Sequence, residues 1–175
     1  MKVSIVKALD YDLSRIHQEI MDIKSNYPDQ TQFLITSNDG HELFEGAGTE
    51  EYPEKFTKLN TFFTGTEISR IVNEFPEYYR WRILCLKPRK TYSIHKDSWK
   101  SGIKNYRLHI PVITNEQCYL MFFQNRISDK SGHTQIEYHH LETGKIYRVD
   151  TSGYHTAVNY HPSSDRIHII AERFV

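Results

Sequence analysis

Seven short segments rich in valine, isoleucine, tyrosine and phenylalanine follow one another from residue 80 to the end of the chain. They are WRILCL, RLHIPVI, CYLMFF, TQIEYHHL, KIYRV, HTAVNY and RIHIIAERFV. Clusters of turn-forming residues such as KPRK, SDKSGH, ETGK and HPSSD separate them. Short strands at this spacing are typical of antiparallel barrels and jelly rolls, because each strand turns back to bury its apolar face. We therefore predict a mainly β fold.

The first 79 residues carry the helical periodicity of the chain. In DYDLSRIHQEIMDIK, apolar residues recur at helical spacing, and Asp12 precedes them as an N-cap. A second helix is predicted in TEISRIVNEF, where Pro76 ends the run. The segment between them, SNDGHELFEGAGTEEYPEKF, is rich in glycine and acidic residues and is typical of an irregular loop. The helices are expected to pack outside the β structure.

Length and composition limit the class of protein. The chain has 175 residues, which predicts a single domain. Lys and Arg together equal Asp and Glu at 22 each, so no basic excess predicts a nucleic acid or a membrane as partner. No apolar run approaches the roughly 18 residues of a membrane span, and no signal peptide is expected. With cysteine only at Cys85 and Cys118, we expect no disulfide framework and a cytoplasmic location.

The segment TYSIHKDSWK places a histidine and an aspartate two residues apart. On an extended strand the side chains of His95 and Asp97 point to the same face, where an imidazole and a carboxylate can bind one metal ion. A third ligand must come from another strand, and His155 in HTAVNY follows a turn. A His-x-Asp pattern alone arises often by chance, so the surrounding residues decide how much it means.

Cationic residues are predicted to lie near the candidate metal ligands. Arg166 opens the last strand, and the short turn HPSSD predicts a hairpin that brings it close to His155. An arginine near a metal ion is suited to bind a carboxylate through two parallel hydrogen bonds. In NYRLHIPV, Arg107 and His109 share one face of a strand while apolar residues occupy the other. Because burying cations without a partner costs several kcal/mol, this pattern favours an anionic ligand, with a buried ion pair as the alternative.

Together these segments resemble the 2-oxoglutarate and Fe(II)-dependent oxygenases. The likeness is to the aspartyl/asparaginyl β-hydroxylase-like branch, which also contains bacterial free-proline hydroxylases. It lies in WRILCLKPRKTYSIHKD, YRLHIPVITN and LETGKIYRVDTSGYHTAVNYHPSSDRIHII, in this order, over residues 80–172. The resemblance implies a double-stranded β-helix, a cupin-like jelly roll, over residues 80–175. Residues 1–79 would then be a helical and loop-rich part of the same domain.

The resemblance also implies roles for particular residues. The metal ligands that it implies for Fe(II) are His95, Asp97 and His155. Arg166 would pair with the distal carboxylate of the cosubstrate 2-oxoglutarate, and Arg107 and His109 would contact the cosubstrate or the carboxylate of the substrate. The implied activity is hydroxylation of an amino acid, free or in a peptide, which consumes O2 and yields succinate and CO2. Weaker candidates for supporting positions are Asn159 and His168.

Two features set this chain apart from the vertebrate hydroxylases of that branch. Those proteins have glycine at the position of Asp97, so the fuller set of ligands places this chain nearer the bacterial and phage-type members. The segment SWKSGIKNY, which follows Asp97, is longer than in hydroxylases of epidermal-growth-factor-like domains. The substrate therefore stays open between a free amino acid, with Arg107 or Arg82 as its counter-charge, and a peptide, with residues 37–54 as a lip.

Two other classes of function stay open as well. A cupin-like metal protein without oxygenase activity, either an isomerase or a ligand-binding module, would need a glutamate shortly after the histidine, and SWKS follows Asp97 instead. A degenerate member would keep the fold for binding only, against which the intact ligand set argues. Aromatic residues on strands more often belong to the core than to a pocket. Those that are candidates for the pocket wall are Trp81, Trp99 and Tyr106.

Overall fold

The computed structural model describes residues 2–44, 53–97, 103–124 and 135–175. Its helices are α1 (Leu13–Asn26) and α2 (Glu67–Glu74). Its strands are β1 (Val3–Ala8), β2 (Gln32–Leu34), β3 (Thr36–Ser37), β4 (Lys58–Leu59), β5 (Tyr79–Leu86), β6 (Lys90–Thr91), β7 (Asn105–Ile113), β8 (Cys118–Phe123), β9 (Ile136–His139), β10 (Lys145–Asp150), β11 (Tyr154–Asn159) and β12 (Arg166–Phe174). Short 3-10 turns lie at Pro53–Lys55 and Thr61–Phe63.

Most of the strands belong to two antiparallel sheets. The larger sheet has the order β1-β10-β7-β12-β5-β2, and the smaller has the order β6-β11-β8-β9. The short strands β3 and β4 pair with each other. From β5 onward the chain passes back and forth between the two sheets, which is the winding of a jelly roll. The predicted mainly β jelly roll is confirmed.

The larger sheet has one apolar face and one face rich in polar side chains, because successive residues of a strand point to opposite sides. On β5, β7 and β12 the apolar set packs into the main core, and it includes Trp81, Ile83, Leu108, Ile110, Ile167 and Ile169. The alternate set lines a pocket between the sheets, and it includes Arg82, Arg107, His109, Arg166 and Ile170. Along each of these strands, side chains therefore point alternately into the main core and toward the candidate site.

Both predicted helices are confirmed, and they cover the apolar face of the larger sheet. The side chain of Asp12 accepts a hydrogen bond from the backbone N–H of Arg15 at 3.0 Å and begins α1. Thr66 caps α2 in the same way through the N–H of Ser69 at 3.1 Å. The buried residues that the helices contribute to the main core are Ile16, Ile20, Ile23, Ile68 and Ile71.

A second apolar cluster joins the inner faces of the two sheets. The larger sheet contributes Leu86, Tyr147 and Val149. The smaller sheet contributes Leu120, Phe122 and Ala157. Because residues of both sheets are buried in one cluster, the sheets face each other as layers around a shared interior.

The N-terminal part also adds two strands to the larger sheet, and the periodicity of the sequence predicts neither of them. The strand β1 pairs with β10 at the edge of the larger sheet, where Ile5 is 58% exposed. The strand β2 has three residues and pairs with β5 at the opposite edge. An edge strand that buries little and a strand of three residues both lack a pattern long enough to show a period of two.

The predicted hairpin between the last two strands is wrong. The strand β11 pairs with β6 and β8 in the smaller sheet, whereas β12 pairs with β5 and β7 in the larger one. The turn between them therefore crosses from one sheet to the other. The side-chain amide of Asn159 fastens this crossing, since it donates to the carbonyls of Leu86 at 2.9 Å and Ser164 at 2.8 Å. Asn159 is thus part of the scaffold.

Among the described residues, no helix is long and apolar enough to cross a membrane. Cys85 and Cys118 are both buried free thiols. Of the predicted loop, Ser37 ends β3, residues 38–44 are irregular and Pro53–Lys55 form a 3-10 turn, while residues 45–52 lie outside the described residues.

Candidate functional site

Three predicted ligands meet where the chain that follows β6 pairs with β11. One ligand atom from each of His95, Asp97 and His155 lies within 4.8 Å of the other two. The backbone N–H of His95 donates to the carbonyl of His155 at 3.0 Å, and the N–H of His155 donates back at 2.9 Å. The N–H of Asp97 donates to the carbonyl of Thr151 at 3.2 Å. Backbone pairing therefore holds all three side chains in place.

Hydrogen bonds to the backbone leave both imidazoles in a form that binds metal ions. Nδ1 of His95 donates to the carbonyl of Ser93 at 2.7 Å, and Nδ1 of His155 donates to the carbonyl of Gly153 at 3.0 Å. A neutral ring with its proton on Nδ1 has its lone pair on Nε2. Both Nε2 atoms point to Asp97, with a distance of 3.4 Å from each to a carboxylate oxygen.

The carboxylate of Asp97 is ionised although it is buried. Burial raises its pKa, but the guanidinium of Arg107 and the imidazoles of His155 and His95 outweigh this and hold the pKa well below the usual value. The pKa of His95 is raised in turn, mainly by its hydrogen bond to Asp97. Oδ2 of Asp97 is buried and has no hydrogen-bond donor within the described ranges. A buried carboxylate beside the Nε2 atoms of two imidazoles fits a divalent metal ion.

This donor set narrows the choice of metal. Two imidazoles and one carboxylate on one side of an ion form the facial triad of non-heme Fe(II) sites, and they leave the remaining positions open. The backbone carbonyls that receive the Nδ1 protons are the kind of outer partner that fixes a ligating histidine. The residues present therefore fit Fe(II).

Arg107 connects the carboxylate of Asp97 to a buried glutamate on β12. Its Nη2 atom donates to Oδ1 of Asp97 at 3.0 Å and to Oε1 of Glu172 at 3.1 Å. The same oxygen of Glu172 also accepts from Nη1 of Arg80 at 3.1 Å and from Nη2 of Arg82. Glu172 is 1% exposed. No sequence pattern marks Glu172 as a site residue, although it lies on the same face of β12 as Arg166.

A pocket of about 190 Å3 opens beside the three candidate ligands, between the two sheets. Its polar lining is Gln32, Arg82, Tyr92, His95, Arg107, His109, His155 and Arg166. Its apolar lining is Leu84, Leu120, Ala157 and Ile170. Pockets for drug-sized ligands have about 300–1,000 Å3, so this space suits a smaller molecule.

Arg166 is a buried cation that faces this pocket. It is 3% exposed and has no carboxylate within ion-pair distance in the described part of the chain. Burial lowers its pKa to about 10, so the guanidinium stays charged at neutral pH. A buried cation without a counter-ion costs several kcal/mol, which makes an anionic ligand the natural partner.

Two neutral histidines lie next to Arg166. The rings of His109 and His168 meet edge to face with their centroids 5.7 Å apart. Burial lowers the pKa of each well below the usual value, and the charge of Arg166 lowers it further. Nε2 of His109 is buried without a hydrogen-bond partner among the described residues, and His109 lines the pocket.

The structure brings the six predicted site residues to one place. Five of them line the pocket, and the sixth, Asp97, forms an ion pair with Arg107. Two pocket-lining residues, Gln32 and Tyr92, were not predicted from the sequence. Gln32 comes from a strand of three residues, and Tyr92 stands three residues before His95. No sequence pattern marks either residue as part of a site, apart from the closeness of Tyr92 to His95 in the sequence.

The three aromatic candidates differ in their surroundings. Trp81 is 1% exposed in the main core, and its indole N–H donates to the carbonyl of Tyr78 at 3.3 Å. Tyr106 packs against the guanidinium of Arg148, with 5.5 Å from its ring centroid to the guanidinium carbon. Trp99 lies outside the described residues. Of the two that are described, neither lines the pocket.

Several solved structures share this arrangement of strands. An oxidoreductase of the 2OG-Fe(II) oxygenase family from Burkholderia pseudomallei has a TM-score of 0.53 and 10% identity, over 98% of this chain and 84% of its own. A prolyl-4-hydroxylase from Pseudomonas putida has a TM-score of 0.51 and 11% identity, over 98% and 87%. The alpha ketoglutarate dependent epimerase SnoN from nogalamycin biosynthesis has a TM-score of 0.53 and 11% identity, over 99% and 77%.

The chain has the fold of these oxygenases. No protein-family model matches the sequence, and no curated protein matches it. At such low identity the likeness concerns the fold, and function must be argued from the site itself.

Proposed function

We propose that this chain is an Fe(II) and 2-oxoglutarate-dependent dioxygenase that hydroxylates an amino acid, free or within a peptide. One observation carries the proposal. The candidate metal ligands and a buried arginine without a carboxylate partner among the described residues, Arg166, face the same small pocket. A metal site beside a fixed cation suits a ligand that chelates the metal at one end and carries a carboxylate at the other.

The metal would be held by Nε2 of His95, Nε2 of His155 and Oδ2 of Asp97. These are the atoms that the backbone hydrogen bonds and the contact with Arg107 leave available. When bound, Fe(II) and 2-oxoglutarate use O2 to oxidise a C–H bond, with succinate and CO2 as co-products. The protein supplies orientation and a dry cavity, and the oxidising chemistry belongs to the bound groups.

Arg166 would bind the distal carboxylate of 2-oxoglutarate. A guanidinium matches a carboxylate with two parallel hydrogen bonds, and burial strengthens such a pair because water does not compete. The apolar side chains of Leu120 and Ala157 line the same space and would exclude water from the cosubstrate chain. His109 offers a buried ring nitrogen to the same ligand.

Hydroxylation of an amino acid is the more specific part of the proposal. It is supported by the resemblance to the aspartyl/asparaginyl β-hydroxylase-like branch and by the prolyl-4-hydroxylase among the structural neighbours. The epimerase among them indicates that one fold hosts other outcomes at the substrate carbon. A cupin-like isomerase or ligand-binding protein would use the metal site without requiring 2-oxoglutarate.

An anaerobic titration tests the proposal. The metal-free protein receives Fe(II) and then 2-oxoglutarate while the visible charge-transfer band of the chelate is followed. We expect a band in the wild type, no band in His155→Ala, and a band that needs more 2-oxoglutarate in Arg166→Ala. Arg173→Ala serves as control, because this exposed arginine pairs only weakly with Glu77 at 3.8 Å. A wild type that binds metal without chelating 2-oxoglutarate would favour the cupin-like alternative.

Succinate release then identifies the substrate. Free amino acids and short peptides are compared in the presence of Fe(II), 2-oxoglutarate and O2, and products are identified by mass. Substrate-dependent succinate with a gain of one oxygen supports hydroxylation. Substrate-dependent succinate with an unchanged product mass would contradict hydroxylation and indicate epimerisation.

A further inference from the structure

The carboxylate of Asp97 has two oxygens in different surroundings. Oδ1 accepts a hydrogen bond from Arg107 at 3.0 Å, whereas Oδ2 is buried with no donor in the described ranges. Asp97 is 7% exposed, so water does not compensate for this difference. Arg107 thus holds Oδ1, which lies 3.4 Å from Nε2 of His95, and leaves Oδ2 available 3.4 Å from Nε2 of His155.

Arg107 is itself held by a second carboxylate. Strand pairing places Arg107 directly opposite Glu172, and Nη2 of the arginine donates to Oε1 of the glutamate at 3.1 Å. The side chain of Glu172 lies in the interior with 2% exposure. One guanidinium nitrogen thus bridges an oxygen of Glu172 and an oxygen of Asp97.

Two arginines of β5, one of them with an unusual backbone conformation, surround the carboxylate of Glu172. Arg80 has a left-handed backbone with φ 51°, a conformation that a residue with a β carbon adopts only at an energetic cost. It lies beside a register shift between β5 and β12, and both Arg80 and Arg82 reach Oε1 of Glu172 from there. Such strain persists only where the surrounding structure requires it. The guanidinium groups of Arg80 and Arg82 thus hold the glutamate from the side of β5.

We propose that Glu172 and Arg107 are positioning residues that fix the orientation of Asp97 as a metal ligand. The chain of contacts from Glu172 through Arg107 to Asp97 holds Oδ1 in place and leaves Oδ2 as the coordinating oxygen. The inference rests on the proposed function, since it requires that the three candidate ligands bind a metal. It assigns Arg107 to the metal ligand, whereas the sequence resemblance assigns it to the cosubstrate or the substrate.

Charge complementarity favours this assignment over contact with the cosubstrate. Arg107 already has two carboxylate partners, whereas Arg166 has none in the part of the chain that the structure describes. A ligand carboxylate in the pocket would gain more from the arginine that lacks a counter-ion. Partners that orient a metal ligand typically change metal affinity by about 10- to 100-fold when they are removed.

The test uses the full chain and Co(II) as the probe, without cosubstrate. Metal affinity is measured by calorimetry, and the visible absorption of Co(II) reports its coordination. Glu172→Gln keeps the size of the side chain and removes the charge, and we expect about 10-fold weaker Co(II) binding and an altered spectrum. Glu77→Gln is the matched control, because its carboxylate pairs with Arg173 at the surface. It should change neither readout.

A second variant guards against failure of Glu172→Gln to fold. Arg107→Lys keeps the charge but loses the planar fork that reaches both carboxylates. We expect weaker Co(II) binding by about 10-fold or more, with less than additive loss in the double variant, because the two residues act through one contact. The affinity of the Co(II)-loaded protein for 2-oxoglutarate should change by less than about 3-fold.

The outcomes separate this inference from the proposed function. If the wild type binds no Co(II), both are overturned. If Arg107→Lys and Glu172→Gln bind Co(II) as the wild type does, the positioning role is overturned and the metal site stands. If Arg107→Lys keeps Co(II) affinity and loses 2-oxoglutarate affinity by about 10-fold or more, Arg107 is instead a cosubstrate ligand.

Discussion

Nη2 of Arg166 donates to Nδ1 of His168 at 3.2 Å, two residues further along β12. Because a guanidinium has no acceptor, the histidine nitrogen must carry a lone pair, and the ring is neutral. Burial and the charge of Arg166 agree with this, since they lower the pKa of His168 well below its usual value. The nearest partner of the buried cation is therefore a neutral ring, and its positive charge is available to a ligand.

We expect Arg166→Met to have opposite effects on stability and on ligand binding. Removing a buried cation while keeping its length should raise the free energy of unfolding of the metal-free protein by about 1–4 kcal/mol. Loss of the charge-assisted hydrogen bonds should weaken 2-oxoglutarate binding by about 1.5–3 kcal/mol, which is roughly 10- to 150-fold. Urea unfolding and calorimetry measure the two quantities.

The exposed Arg173 provides the control for this variant. Arg173→Met lies on the same strand and should change the free energy of unfolding by less than about 0.5 kcal/mol. An Arg166→Met protein that is destabilised and still binds 2-oxoglutarate normally would contradict the assignment, because Arg166 would then be a structural cation.

The stability of the metal-free protein should depend on pH through His95. The hydrogen bond to Asp97 raises the pKa of His95 in the folded state above the value of about 6.5 expected when unfolded. The stability that it contributes is therefore fully present below pH 6.5 and is lost as the pH rises through the folded-state pKa. Wild type and His95→Gln should differ more in free energy of unfolding near pH 5 than near pH 9.

Urea unfolding in the presence of a chelator checks this expectation at both pH values. His17→Gln, at an exposed position of α1, is the matched histidine variant. A difference between wild type and His95→Gln that is the same at both pH values would mean that the protonated ring gains nothing from Asp97 in the folded protein.

The regular elements were the most predictable part of this fold. The seven apolar segments correspond to β5 and to β7 through β12, and both predicted helices are present, with α1 beginning at the predicted cap Asp12. The isoleucines that produce the helical periodicity are buried in the main core, so local sequence and tertiary packing agree there. The edge strands β1 and β2 were not predictable, because their formation depends on partners far away in the sequence.

Pairing between distant strands also limits what the sequence reveals of the site. The turn after Asn159 is short enough for a hairpin, but its length does not tell to which sheet each strand belongs. Glu172 stands 65 residues from Arg107, and only the register between β7 and β12 brings them opposite each other. His95, Asp97 and His155 could be proposed as metal ligands because two of them are two residues apart and the resemblance implies the third.

The crossing between the two sheets should depend on Asn159. This side chain is fully buried, and its amide donates to the carbonyls of Leu86 and Ser164, while its oxygen accepts from the N–H of His161 at 3.1 Å. Asn159→Ala leaves buried polar groups unpaired, each at about 1–3 kcal/mol. We therefore expect a loss of about 2–4 kcal/mol in the free energy of unfolding, measured with urea.

Asn26→Ala offers a contrast for this variant. Its exposed amide makes one bond to the carbonyl of Asp22 at 3.0 Å at the end of α1. The change should cost less than about 0.5 kcal/mol, because water replaces the partner. Equal losses in the two variants would mean that the buried amide of Asn159 does not stabilise the crossing.

The helices should support the fold without touching the site. Ile71 of α2 is fully buried in the main core, on the face of the larger sheet opposite to the pocket. Ile71→Ala should lower the free energy of unfolding by about 2–5 kcal/mol through lost packing and the cavity left behind. Ile5→Ala, at an exposed position of β1, should cost less than about 0.5 kcal/mol. Under folding conditions both variants should bind Co(II) and 2-oxoglutarate as the wild type does, and weaker binding by a folded Ile71→Ala protein would show that the two faces of the sheet are coupled.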